Sequence, residues 1–180
     1  MRVHWKHIDI KDLAAIVTET LAKKGIDVLL VGGACISIYT VNQYVSGDLD
    51  FVSHGTLKEI SEGLQEIGFH RKDSRHFTRD NCPFFIEFVT PPAAVGNEPI
   101  RSKNEMSTRY GKLILLTPTD PVKDRLAAYY HWNDKQALEQ AAMVVESQPV
   151  DLKEVRRWSL KEGFKEKCES FLAILEKRKA

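Results

Sequence analysis

A short apolar run that ends at two adjacent glycines is the feature that most constrains this chain. Val28–Val31 has the composition of a buried strand, and Gly32-Gly33 ends it. Residues 34 to about 44 then predict a helix, and Asp48–Ser53 alternates acidic and apolar residues as a second strand. This order of strand, glycine turn, helix and strand indicates an α+β domain built on a sheet.

Asp48 and Asp50 place two carboxylates on one face of the second predicted strand. Residues two apart in a strand point to the same side, so these side chains lie together while Leu49 and Phe51 point into the core. Adjacent carboxylates repel unless a cation lies between them, and Mg²⁺ prefers carboxylate and phosphate oxygens. The pattern indicates a Mg²⁺ site, and a pair of surface acids on an edge strand is the alternative.

A third acid, Glu87, is the one charge in the predicted strand Phe-Phe-Ile-Glu-Phe-Val of residues 84–89. Burying a lone carboxylate is costly unless it is paired or binds a metal, so Glu87 is a candidate ligand. The alternatives are a solvent-exposed side chain and a partner arginine. Gly32 and Gly33 can expose backbone N–H groups to a phosphate, although a tight turn also requires glycine.

Together these residues form an ordered pattern that resembles the nucleotidyltransferase superfamily, which includes DNA polymerase β and the minimal nucleotidyltransferases. The pattern runs from Val31-Gly32-Gly33 through a helix to Asp48-Leu49-Asp50 and then to Glu87 on a later strand. Locally, it looks most like uncharacterised bacterial nucleotidyltransferase-like proteins and proteins of the abortive-infection toxin type.

The resemblance implies a reaction and assigns roles in it. Asp48, Asp50 and Glu87 would be catalytic and would hold two Mg²⁺ ions, which bind the triphosphate of a nucleoside triphosphate such as ATP. Gly32, Gly33 and Ser46 would contact the nucleotide. An acceptor hydroxyl would attack the α-phosphate and release pyrophosphate, chemistry that needs charge neutralisation more than covalent catalysis.

After Leu116 the chain is predicted to be helical, with a first helix starting at Asp120-Pro121. This half resembles the segment in the same proteins where a basic helical residue precedes a break and an aspartate. Lys123 or Arg125 would then be the basic residue that reaches the triphosphate, and Asp134 would be the aspartate after the break. The alternatives are a solvated helical turn and a helix-capping aspartate.

The most basic stretch, residues 70–79, lies between the second and third acids. Several of its arginines could face a phosphate or an RNA acceptor if the segment forms a strand. Its charge pattern favours the alternative of a solvent-exposed hairpin face.

Composition and charge limit the partners and the cellular location that we expect for this chain. The 180 residues include 26 Lys and Arg against 25 Asp and Glu, so no basic field favours duplex DNA or an anionic membrane. Three separated cysteines, no apolar leader and no long apolar run predict a cytoplasmic protein. We expect a nucleotidyltransferase-like domain over residues 1–117 and a helical domain over residues 118–180.

We therefore expect an α+β fold with a mixed sheet flanked by helices, followed by a C-terminal helical bundle. The predicted function is Mg²⁺-dependent transfer of a nucleoside monophosphate to a hydroxyl of RNA, a protein or a small molecule, in a toxin–antitoxin or defence setting with a cognate protein partner. The alternatives are a non-catalytic nucleotide-binding or antitoxin-like partner with the same fold, and an unrelated α+β protein.

Overall fold

The computed structural model describes residues 3–179, which form seven helices, nine strands and one short 3₁₀ turn at Trp5–His7. The helices are α1 Ile10–Ala22, α2 Gly33–Tyr39, α3 Leu57–Gln65, α4 Thr119–Trp132, α5 Lys135–Ser147, α6 Leu152–Lys161 and α7 Lys165–Lys179. The strands are β1 Val28–Val31, β2 Asp48–Ser53, β3 His70–Arg71, β4 His76–Thr78, β5 Phe85–Val89, β6 Ala94–Val95, β7 Glu98–Pro99, β8 Lys103–Thr108 and β9 Gly111–Leu116.

Seven of these strands form one mixed sheet in the order β3-β4-β5-β2-β1-β9-β8, and β6 and β7 form a separate small hairpin. Strand β2 runs parallel to β5 and antiparallel to β1, which runs parallel to β9. Antiparallel pairs complete both edges. The predicted fold class is confirmed, with a mixed sheet flanked by helices and a helical C-terminal part.

One face of the central strands is wholly buried. The register pairs Leu30 with Phe51, Phe51 with Phe88, and Leu49 with Ile86, and all five side chains are shielded from solvent. The rings of Phe51 and Phe88 stack at 5.7 Å between centroids. Because side chains alternate along a strand, the intervening residues of β2 and β5 must point to the opposite face.

The helical part packs around an aromatic group. The ring of Tyr130 in α4 stacks on Phe164 at 4.8 Å and on Trp158 of α6 at 5.9 Å. The Trp158 indole N–H donates to the carbonyl of Val95, and the Gln148 amide donates to the carbonyl of Tyr39. These contacts join the helical part to the sheet part. The boundary at residue 117 stays a prediction.

Local sequence signals set most element ends. The carboxylate of Asp9 caps α1, Thr56 and Glu59 form a capping box at the start of α3, and Asp151 caps α6. Strands β8 and β9 form a hairpin that turns just before Gly111. No helix within residues 3–179 has both the length and the apolar character that crossing a bilayer demands.

Two local predictions are wrong in detail. The helix predicted to about residue 44 ends at Tyr39, because Val41 and Asn42 take φ angles of 51° and 62°, outside the helical region. Asp120 is not the cap of α4, which already begins at Thr119. Its carboxylate accepts a hydrogen bond from the Thr117 hydroxyl and pairs with Lys123 instead. Strands β6 and β7 were not predicted.

Candidate active site

The three candidate acids lie on one face of two neighbouring strands. Asp48 and Asp50 are on β2, Glu87 is on β5, and the parallel register places Asp50 directly beside Glu87. Paired strands lie about 4.8 Å apart, so these side chains are neighbours across the ladder. We call this surface the acid face, defined by Asp48, Asp50 and Glu87.

Gly32 lets the Asp50 carboxylate approach the end of β1. Gly32 has a φ of 67°, and a Cβ at this position would lie 2.4 Å from Asp50 Oδ2. A side chain would therefore both strain the backbone and displace the carboxylate. A Cβ on Gly33 would lie 2.9 Å from Ser46 Oγ. The glycine pair thus makes room for the Asp50 carboxylate and the Ser46 hydroxyl.

Ser46 orients the first aspartate. Its side chain is buried, its hydroxyl donates to Asp48 Oδ1 at 2.8 Å, and its backbone N–H donates to the Ser37 hydroxyl at 2.8 Å. A serine fixed through its backbone in this way holds the Asp48 carboxylate in one orientation.

Among the described residues, the two aspartates of the acid face have no cation paired with them. Burial raises the pKa of Asp50 to about 6, and the charges of Asp48, Glu87 and Asp124 add to the rise. Arg125 opposes it to a smaller extent. Because the charged form of Asp50 is disfavoured in this way, a bound cation would stabilise it.

Glu87 contacts two basic side chains, one from the loop between β3 and β4 and one from β4. Arg75 Nε lies 3.3 Å from one carboxylate oxygen of Glu87, and His76 Nε2 lies 3.1 Å from the other. Asp73 contacts the other ring nitrogen of His76 at 2.8 Å, and this hydrogen bond raises the pKa of His76. Sequence reasoning offered a partner arginine as an alternative for Glu87, and the structure shows one.

The donor chemistry fits a hard cation at Asp48 and Asp50, but the complete set of three is not assembled. Among residues 3–179, no three Asp, Glu, His or Cys side chains are arranged to hold one metal ion together. Glu87 can join the two aspartates as a ligand only after giving up at least one of its two partners, Arg75 and His76.

Helix α4 brings two further charged residues to this region. Asp124 lies close enough to raise the pKa of Asp50, and Arg125 pairs with Asp124 and approaches the Gln140 amide oxygen at 3.5 Å. Together with Gly32 they line a cavity of about 210 Å³ whose other walls are mainly apolar residues of β1, β2, β5 and the β6–β7 hairpin. Asp124 was missed because nothing in its sequence context distinguishes it from a surface helical acid.

The structure does not bring Lys123 to the acid face. Residues two apart on a helix point about 200° apart, so Lys123 and Arg125 occupy different faces of α4. Lys123 is buried and pairs with Asp120 at 3.2 Å and with Glu154 at 3.0 Å. Asp134 caps α5 by accepting from the backbone N–H of Ala137.

Lys123 belongs to what we call the charge network, which lines a second cavity of about 500 Å³. Its members are joined by ion pairs of 2.6 to 3.2 Å and are Glu98, Asp120, Lys123, Glu154, Arg157 and Lys161. Arginine and lysine partners lower the pKa values of Glu98 and Glu154 to about 2.

Comparison with solved structures identifies the architecture. An antigenic nucleotidyltransferase-like protein from Paracoccidioides brasiliensis aligns with a TM-score of 0.61 over 94% of this chain and 88% of that chain, at 13% identity. This chain has the nucleotidyltransferase fold. Two structures of the antibiotic-resistance factor ANT(2″)-Ia, one in complex with adenylyl-2″-tobramycin, align with TM-scores of 0.49 at 12% and 11% identity. They cover 95% and 94% of this chain and 98% and 95% of those chains.

No protein-family model matches the chain, and no curated protein matches it in sequence. The register places Asp50 beside Glu87, and Gly32 lies against the Asp50 carboxylate. The catalytic and metal-binding roles of these residues stay predictions.

Proposed function

We propose that this chain transfers a nucleoside monophosphate from a nucleoside triphosphate to a hydroxyl acceptor in a Mg²⁺-dependent reaction. The observation that supports it best is the acid face, where Asp50 lies beside Glu87 across the ladder and against Gly32. The raised pKa of Asp50 supports the same conclusion, because functional sites hold like charges together that a purely structural surface would separate.

The residues of the site have separate tasks in this proposal. Asp48, oriented by Ser46, and Asp50 would hold the metal ions, and Glu87 would complete the ligand set. Bound Mg²⁺ would neutralise the triphosphate and the charge that develops during transfer. Arg125, which lines the smaller cavity together with Gly32, would contact the nucleotide. Gly32 and Gly33 would allow phosphate oxygens close to the backbone.

The proposed transfer forms one bond to the α-phosphorus and breaks another. The acceptor oxygen bonds to the α-phosphorus, the bond from that phosphorus to the bridging oxygen breaks, and pyrophosphate leaves. The hydroxyl proton is released to solvent. Positioning and charge neutralisation account for the catalysis, and the chain needs no covalent intermediate.

The test is transfer of label from [α-³²P]ATP, GTP, CTP or UTP to RNA, protein and small-molecule acceptors, with and without Mg²⁺. Asp48→Asn should lower the rate at least about 100-fold, because it removes a charged ligand of the metal ions that would neutralise the reacting phosphates. Asp27→Asn is the matched control, since Asp27 is an exposed acid at the other end of β1. Equal rates in the wild-type chain and Asp48→Asn would refute the proposal.

A non-catalytic nucleotide-binding role is the second candidate, and the pairing of Glu87 with Arg75 and His76 favours it. Calorimetry with ATP and Mg²⁺ separates the two, because a regulatory partner would bind nucleotide without any transfer. A defence or toxin–antitoxin setting predicts growth arrest on induced expression, relieved by Asp48→Asn.

A further inference from the structure

The third carboxylate of the acid face is paired with two basic side chains, Arg75 and His76, that the proposed reaction does not use. Arg75 Nε lies 3.3 Å from Glu87 Oε1, and His76 Nε2 lies 3.1 Å from Glu87 Oε2. Both oxygens of Glu87 therefore have a partner already. A metal ion that takes Glu87 as a ligand must displace at least one of them.

The two sides of this ion pair differ in their access to solvent. The side chain of Glu87 is only 15% exposed, whereas that of Arg75 is 58% exposed. A largely buried carboxylate that lies beside another acid is stabilised by a basic partner, and removing that partner without a replacement is costly. An exposed guanidinium loses little when it leaves, because water solvates it.

The turn around Asp73 fixes His76 more firmly than Arg75. Asp73 accepts the backbone N–H groups of both residues at 3.1 Å and contacts the His76 ring at 2.8 Å. No side chain other than Glu87 forms an ion pair with the Arg75 guanidinium in the described part of the chain. Arg75 is thus the partner that can leave while the turn stays intact.

We propose that Arg75 is a displaceable counter-ion of Glu87. It neutralises the carboxylate while the acid face holds no metal, and it competes with a divalent cation for Glu87 Oε1. The inference rests on the proposed function, since it treats Asp48 and Asp50 as the primary metal site. Its consequence is that Arg75 weakens cation binding to the resting protein and is released beside the nucleotide when the ligand set closes.

The experiment measures binding of Mn²⁺, as a probe for Mg²⁺, to the full chain by electron paramagnetic resonance without nucleotide. Arg75→Ala should tighten Mn²⁺ binding roughly fivefold, which is the effect of removing one partly exposed ion pair. Arg71→Ala is the matched control, because the Arg71 guanidinium donates to the carbonyls of Asp73 and Ser74 and not to Glu87. It should change the affinity by less than about twofold.

A double-mutant cycle separates the specific effect from a general effect of charge. In the Glu87→Gln background, Arg75→Ala should not increase the Mn²⁺ affinity, because the carboxylate for which Arg75 and the metal compete is absent. Arg75→Gln serves as a second variant, and thermal unfolding shows that each variant is folded. A gain that persists in the Glu87→Gln background, or no gain at all, overturns the inference.

Failure of this inference is distinguishable from failure of the proposed function. If Asp48→Asn abolishes Mn²⁺ binding while Arg75→Ala has no effect, the metal site stands and Arg75 is only a structural partner. If Asp48→Asn leaves Mn²⁺ binding unchanged, the metal site itself is wrong.

Discussion

The acid face and the charge network contain similar numbers of carboxylates but arrange them in opposite ways. In the charge network every glutamate has a lysine or arginine within 3.0 Å. On the acid face Asp48 and Asp50 have no cation paired with them among the described residues, and their nearest charged neighbours include Glu87 and Asp124.

The pKa values show what this difference means. Salt-bridge partners lower the pKa values of Glu98 and Glu154 to about 2, whereas burial and like charges raise the pKa of Asp50 to about 6. In a region that only stabilises the fold, the charged side chains neutralise one another. In a region that binds a charged ligand, some of the charge is neutralised only when the ligand is bound.

The largest expected effect removes the central cation of the charge network. Lys123→Ala should lower the free energy of unfolding by about 3 to 5 kcal/mol, because Asp120 and Glu154 would lose their shared buried partner. Urea denaturation measures this loss. Lys58→Ala is the control, since the Lys58 side chain is 87% exposed, and it should change stability by less than about 0.5 kcal/mol. Unchanged stability with lost nucleotide binding would move Lys123 into the nucleotide site.

The corresponding change on the acid face should have the opposite sign. Asp50→Asn should raise the free energy of unfolding at pH 7.5 in EDTA by about 1 to 2 kcal/mol, because it removes a partly buried charge that its neighbours repel. The same variant should lose transfer activity. Asp27→Asn, an exposed acid, should leave stability unchanged within about 0.5 kcal/mol. A clear loss of stability in Asp50→Asn would show that Asp50 is compensated after all.

A third variant tests whether glycine is required at position 32 to leave room for the Asp50 carboxylate or only to allow the positive φ angle. Gly32→Ala should weaken Mn²⁺ binding about tenfold by displacing the Asp50 carboxylate. Gly25→Ala is the control, because Gly25 also has a positive φ, of 74°, but has nothing within 4 Å of a Cβ. Both should lower stability by at least about 1 kcal/mol, Gly32→Ala by more because its Cβ also meets the Asp50 carboxylate, and only Gly32→Ala should affect Mn²⁺ binding. Equal Mn²⁺ affinities in the two variants would contradict the role of Gly32.

The smallest effect is a difference in pH dependence. The folded state binds a proton at Asp50 more readily than the unfolded chain, so the destabilisation due to Asp50 is full above pH 6 and fades as the pH falls toward 4. The advantage of Asp50→Asn should therefore shrink over that range.

Glu154 should show the opposite trend. Its lowered pKa means that its stabilisation is present above about pH 4.5 and is lost as the pH falls toward 2. The stability loss in Glu154→Gln should accordingly stay constant from pH 7 to pH 5 and diminish only below. Unfolding curves at several pH values compare both variants with the wild-type chain, and parallel trends would contradict the contrast.

Much of the fold could be predicted from local signals. The apolar run before Gly32 and the alternation of Asp48-Leu49-Asp50-Phe51 each depend on near neighbours along the chain, and the structure confirms both strands. The two-residue strands β6 and β7 escaped prediction because so short a segment carries no periodicity.

The candidate site divides in the same way. Alternation along β2 was enough to place Asp48 and Asp50 on one face, because strand geometry has a period of two. Only the parallel register of β2 and β5 decided that Glu87 lies beside Asp50, and only the rotation of α4 separated Lys123 from Arg125. Those relations join residues far apart in the sequence, and tertiary packing alone determines which charges end up facing each other.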